Sequence, residues 1–240
     1  MNIIHHKKPR LGTITMECDK LIDEKLTKYP AVEACFSKSH TTLVSGGMGS
    51  GKTTWVLQMM KSIWSKCYED VFIVIPENSF ASISEKDNVF AKYLPAENIY
   101  HTFDVDTMEE IYGKLEENSS EGYNSLLIID DWGHLLKDKK METILSKIFL
   151  KNRHLRTTSV VLVQNYYMLG KKLREIINNV VVFNTNKSQN KKMFDEQFDL
   201  TEEQFKAMMR LLPTTHDYVI ANLKYKRIFH DWNELVFHDK

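Results

Sequence analysis

Cysteine is scarce in this chain of 240 residues. Cys18, Cys35 and Cys67 are the three present, and none has the spacing of a metal clip or redox motif. They read as reduced thiols in a cytosolic setting. The histidines have no paired ligand spacing, and His5 and His6 read as a solvated tail rather than a metal site. Neither sign of charge is in excess, with 32 Lys and Arg against 32 Asp and Glu, so global charge does not advertise nucleic acid. No apolar run approaches the ~20 residues of a membrane-spanning helix. The opening "MNIIHHKKPR" lacks the apolar core of a signal peptide. The expectation is a soluble intracellular protein, long enough for one large domain.

Glycine is also sparse, nine residues in all, yet four of them crowd into one short stretch. Residues 43–55 read LVSGGMGSGKTTW, and Gly46, Gly51, Lys52 and Thr53 fit the pattern G-x-x-x-x-G-K-[ST]. Glycines let the main chain approach a ligand closely. Successive N–H groups then form an anion-binding nest, reinforced by the positive end of the helix that follows. The expected phosphate-binding loop is Gly46, Gly47, Met48, Gly49, Ser50, Gly51, Lys52, Thr53 and Thr54. Lys52 reaches the β- and γ-phosphates of ATP, and the Thr53 hydroxyl ligates Mg²⁺. The context agrees: an apolar strand precedes the loop, and Val56, Met59, Met60 and Ile63 follow at helical spacing.

Residues 1–36 are mixed and polar, with Pro9 and Pro30 as breakers, and read as an N-terminal arm or cap. Residues 37–240 read as a single P-loop ATPase domain with a C-terminal extension from about 187. Five apolar runs rich in β-branched residues read as strands: TTLVSG, DVFIVIP (70–76), SLLIIDD (125–131), SVVLVQN (159–165) and NVVVFN (179–184). Runs without alternation predict strands buried on both faces. Helical patterns between them predict a mainly parallel α/β sheet flanked by helices. Two more helices are expected over 187–199 and 201–212, the second with a capping box from Thr201 and Gln204. DYVIANL and RIFHDW are candidate strands of a hairpin or added edge.

Asp130 and Asp131 close the third strand, at the edge where open α/β sheets bind ligands. One acid there holds the Mg²⁺ of a triphosphate, and that role falls to Asp130. A neighbouring acid orients and activates water for hydrolysis, and that role falls to Asp131. Gln164 ends the next strand, where an amide can contact the γ-phosphate or the water. Two solvated acids and a polar strand cap are the plain alternatives.

In this order, GGMGSGKT, LLIIDD, KNRHLRTTSVVLVQN and KKLREIINNVVVF resemble the FtsK–HerA superfamily of DNA-pumping ATPases. They are most similar to the poxvirus-type genome-packaging ATPases of large DNA viruses and virophages. The resemblance covers about residues 40–185. It implies the strand order 5-1-4-3-2, which brings Lys52, Asp130, Asp131 and Gln164 to one crevice. It also implies a homo-oligomeric ring, double-stranded DNA bound without regard to sequence, and docking to capsid or vertex proteins. The corresponding location is the host cytoplasm, at the viral factory, or the virion. In such rings an arginine from the neighbouring subunit completes each site. Arg153 is the first candidate, although its context Asn152-Arg153-His154 lacks the family's glycine. Arg156 and Arg174 follow.

Charge is uneven along the chain: residues 137–192 hold thirteen Lys or Arg against three acids. Loops carrying these charges suit a channel that tracks a phosphate backbone. Three other readings stand beside the packaging motor: a nucleoside or nucleotide kinase, a DNA helicase, and a non-catalytic capsid subunit. The adjacent acids suit attack by water better than transfer to a nucleoside.

Overall fold

A computed structural model describes Val32, Cys35, Phe36 and residues 39–237 of the chain. The expected N-terminal arm lies outside the described residues, apart from those first three, which are buried.

Strand β1 (Thr41–Ser45) leads through the glycine-rich loop into helix α1 (Lys52–Ser62), and β2 (Asp70–Val74) follows. Two short helices, α2 (Glu77–Ala81) and α3 (Val89–Tyr93), precede the two-residue strand β3 (Ile99–Tyr100). Helix α4 (Val105–Glu121) then leads to β4 (Ser125–Ile129), α5 (Lys139–Leu150) and β5 (Thr157–Val163). The short α6 (Lys171–Arg174), β6 (Asn179–Phe183), α7 (Lys187–Phe198) and α8 (Glu202–Arg210) come next. The chain closes with β7 (Tyr218–Asn222), β8 (Arg227–His230) and β9 (Asn233–Leu235).

The nine strands of the described residues form one sheet in the order β3-β2-β4-β5-β1-β6-β7-β8-β9. The five strands read from the sequence are β1, β2, β4, β5 and β6. They pair in parallel, and their order is the expected 5-1-4-3-2. β7 and β8 are the expected hairpin, added antiparallel to β6. β3 and β9 were not anticipated, because two and three residues carry no readable period.

Strand side chains alternate between two cores, as a pleated strand requires. Leu43, Phe72, Leu127, Val161 and Val180 face the layer built by α4, α5, α7 and α8. Val44, Ile73, Ile128, Val160 and Val181 face α1 and α3. Both faces are therefore covered, which is why the central strands lack polar alternation. Local signals fix the helix ends. The Asp104 carboxylate caps α4, whose last turn closes on Gly122 at φ 88. Asp138 caps α5, and the predicted capping box of Thr201 and Gln204 is present at α8.

Candidate nucleotide site

Parallel pairing puts the carboxyl ends of β1, β2, β4, β5 and β6 on one edge, and the glycine-rich loop leaves β1 there. The Gly46 N–H donates to the Val163 carbonyl at 3.1 Å, tying the loop to β5. A Cβ on Gly46 would lie 2.5 Å from Ser50 Oγ and 2.8 Å from Phe183 Cβ, so only glycine fits. Gly51 stands at φ 96 immediately before α1, a left-handed turn that a side chain would strain. Lys52 Nζ donates to the carbonyls of Gly46 at 2.8 Å and Gly47 at 3.0 Å, which holds the ammonium at the loop's mouth. Burial lowers the Lys52 pKa, and the negative charges of Asp130 and Asp131 oppose that shift.

Asp130 and Asp131 lie just past β4, which ends at Ile129 rather than at Asp131 as expected. The Asp130 N–H donates to the Val74 carbonyl at 2.9 Å, so the neighbouring strand fixes its position. Its Oδ2 accepts a hydrogen bond of 2.8 Å from Thr53 Oγ1. Asp130 is 5% exposed, and burial pushes its carboxyl pKa up to about 6. The Thr53 hydrogen bond pulls the other way, and the Asp131 charge adds to the rise. Asp131 adopts a left-handed backbone at φ 63, a conformation that aspartate tolerates better than most residues. Its exposed carboxylate accepts a hydrogen bond of 2.7 Å from Ser79 Oγ on α2.

Gln164 follows β5 directly and is exposed. Lys52, Thr53, Asp130, Asp131 and Gln164 line a single cleft of about 1130 Å³, as do Met48 and Thr54. That volume suits a nucleotide. The cleft combines a loop of N–H donors, a cation, a hydroxyl beside a buried carboxylate, and a second carboxylate open to solvent.

The arginine candidates stand elsewhere. Arg153 is exposed and precedes β5, so it lies at the opposite edge of the sheet from its own loop. The seven residues of β5 alone separate the two edges by about 20 Å. Arg156 is corrected to a structural residue. It is 8% exposed, and its Nη1 donates to the Gly122 carbonyl at 2.5 Å, fastening the end of α4 to the start of β5. Arg174 is half-buried, stacked over Tyr166 and Tyr167, and donates to the Leu169 carbonyl at 2.7 Å.

Three residues that support the site escaped the sequence reading. Thr185 Oγ1 accepts the Gly47 N–H at 2.7 Å, and His216 Nδ1 lies 3.2 Å from the Ser50 carbonyl oxygen. Ser79 is the third. Each comes from a segment far from the loop in sequence and belongs to no motif.

The loop, the acid pair beyond β4 and the 5-1-4-3-2 core define a P-loop nucleotide-binding domain of the α/β class. A family model described as the poxvirus A32 protein matches residues 33–230, and the chain belongs to that family. Its fold is similar to B204, the DNA-packaging ATPase of Sulfolobus turreted icosahedral virus, with a TM-score of 0.59 and 14% identity. That match covers 85% of this chain and 100% of B204. B204 from Sulfolobus turreted icosahedral virus 2, a genome-packaging NTPase solved with ATP-gammaS, matches with a TM-score of 0.58 and 14% identity over 82% and 98% of the two chains. The cytoplasmic domain of the type VII secretion ATPase EccC from Thermomonospora curvata matches with a TM-score of 0.52 and 12% identity, over 84% of this chain and 24% of that one. At these identities the likeness is one of fold. No curated protein matches the chain by sequence. Among the described residues, no helix is long and apolar enough to cross a membrane.

Proposed function

We infer that this chain is an ATP-hydrolysing motor that drives double-stranded viral DNA into a capsid. The observation that carries the reading is the convergence of Lys52, Thr53, Asp130, Asp131 and Gln164 on one cleft in a member of the poxvirus A32 family. The solved proteins of like fold include genome-packaging NTPases, which supports the same direction.

Lys52 and the N–H groups of the loop bind the β- and γ-phosphates. Thr53 and Asp130 offer a hydroxyl and a buried carboxylate 2.8 Å apart, a donor set that suits Mg²⁺, a hard cation that takes one or two protein oxygens plus phosphates. A desolvated carboxylate such as Asp130 is also stabilised by a cation beside it. Bound there, Mg²⁺ would neutralise charge on the phosphate oxygens. Asp131 accepts a proton from the attacking water as its oxygen bonds to the γ-phosphorus and the bond to ADP breaks. Gln164 contacts the γ-phosphate or that water.

Among the basic residues of 137–192 two groups stand out. Lys147 and Lys151 lie against the Tyr112 ring and near Glu109 and Glu116, and Arg156 is buried, so these serve the fold. Lys137, Lys139 and Lys140 precede or open α5, Lys171 and Lys172 open α6, and Lys187 opens α7. All three starts follow the carboxyl ends of parallel strands and so share the edge that carries the cleft. Cations at the start of α5 and α7 oppose the helix dipole by about 0.3–1 kcal/mol each, so helix stability does not favour them there. An anionic partner such as duplex DNA does. On this reading Arg153, exposed on the opposite edge, serves a neighbour's cleft in a head-to-tail ring rather than its own.

The test is phosphate release from ATP, with and without duplex DNA, on protein whose oligomeric state is measured in parallel. The reading expects release without any nucleoside acceptor and stimulation by DNA that falls steeply with salt. Transfer of phosphate to a nucleoside, with no free phosphate, would assign the chain to the kinases instead.

A further inference from the structure

Asp131 is an awkward residue to keep in place. It is exposed, it follows the last strand residue by two positions, and its backbone is left-handed at φ 63. A carboxylate with that freedom samples several rotamers. The Ser79 hydroxyl restrains it, donating to Oδ2 at 2.7 Å.

Ser79 is half-buried in a short helix whose neighbours tie it back to the sheet. It lies on α2, which leaves β2 beside the strand that delivers the acids. The Pro76 carbonyl accepts the Phe80 N–H at 2.9 Å, and the Ser79 carbonyl accepts the Ser82 hydroxyl at 2.6 Å. The Phe80 ring packs edge-on against His101, whose Nδ1 lies 2.9 Å from the Ile75 carbonyl oxygen. Both Ser79 and Asp131 line the cleft that holds Lys52.

We propose that Ser79 is a positioning residue that fixes the Asp131 carboxylate for attack by water. The inference rests on the reading of Asp131 as the proton acceptor. A carboxylate oxygen has more than one lone pair, so Oδ2 holds the serine while Oδ1 remains for the water. The serine hydroxyl donates to the anion and is not consumed. Misplacing a reacting group by about 1 Å can cost up to ~100-fold in rate, whereas binding of the nucleotide, held by other atoms, is left alone.

The experiment is steady-state ATP hydrolysis by Ser79→Ala, Ser79→Thr and Asp131→Asn, each alone, and by the Ser79→Ala, Asp131→Asn double variant. Ser79→Ala is expected to lower kcat about tenfold with KM for ATP within about twofold of the parent. Ser79→Thr, which keeps the hydroxyl, is expected to restore kcat to within about threefold. In the Asp131→Asn background the serine substitution is expected to cost little more, because the group it positions is already disabled. Three results overturn the proposal: a Ser79→Ala kcat within twofold of the parent, an undiminished Ser79→Ala loss on top of Asp131→Asn, or a rise in KM that accounts for the whole effect. If Ser79→Ala does not fold, Ser79→Cys keeps the volume with a weaker donor and is read by the same criteria. Should Asp131→Asn alone turn over at the parent's rate, the reading of Asp131 fails. A slow Asp131→Asn beside an unaffected Ser79→Ala rejects the positioning role alone.

Discussion

Replacing Asp130 with asparagine should make the ligand-free protein more stable at neutral pH while removing its Mg²⁺-supported turnover. The folded protein holds the Asp130 carboxyl pKa at about 6, against 3.8 ordinarily, chiefly because the group is buried. For an acid whose folded pKa is raised, the native state binds more protons than the unfolded chain between the two values, so stability falls as pH rises through that window. The two-unit difference corresponds to about 3 kcal/mol lost by pH 7.5 and regained by about pH 4. Asparagine is nearly isosteric and can still accept the Thr53 hydroxyl, but its amide N–H groups need new partners, at about 1 kcal/mol or more. The net expectation is a gain of about 1–2 kcal/mol at pH 7.5 that vanishes or reverses near pH 4. Urea unfolding with a chelator present, at both pH values, measures it. A parent at least as stable as the variant at pH 7.5, or a difference independent of pH, would refute the reasoning. The strain would then not come from an ionised, desolvated carboxylate.

Asp131→Asn should still bind ATP yet hydrolyse it at least ~100-fold more slowly, as removal of a general base does, and a nucleotide titration beside a turnover assay checks both. Loss of binding instead would mean that the roles of Asp130 and Asp131 are exchanged. Reversing the charge at the exposed Lys171 and Lys172 should weaken DNA stimulation and flatten its salt dependence, by about one unit of slope for each phosphate no longer neutralised. Arg153→Ala and Lys52→Ala subunits, each nearly inactive, should recover turnover when mixed, because one supplies the nucleotide cleft and the other the arginine across a subunit boundary. No recovery at any ratio would remove Arg153 from the shared site.

The core of the fold was legible because two signals coincided. Val71–Val74, Leu126–Ile129 and Val160–Val163 are buried on both faces, so each reads as an unbroken apolar run that short strands alone explain. The loop from Gly46 to Thr53 was legible because close backbone approach tolerates few residue types, and the clash of any Cβ at Gly46 shows why. What stayed hidden depends on contacts distant in sequence. Nothing around Ser79 announces a partner at Asp131, and Thr185 and His216 meet the loop only because β6 lies next to β1 and β7 next to β6. Arg156 misled for a related reason. Its position before β5 suits a finger, but its φ of 48 and its bond to Gly122 turn it inward, and neither is written in the local pattern.

Movement along duplex DNA is the central claim, and displacement of a third strand from a triplex measures it directly. The account predicts that the assembled protein, given ATP and Mg²⁺, strips a triplex-forming oligonucleotide from duplexes of unrelated sequence without separating the duplex strands. Lys52→Ala should leave the triplex intact under the same conditions. Separation of the duplex itself would identify a helicase, and vigorous ATP hydrolysis with the triplex untouched would contradict translocation altogether.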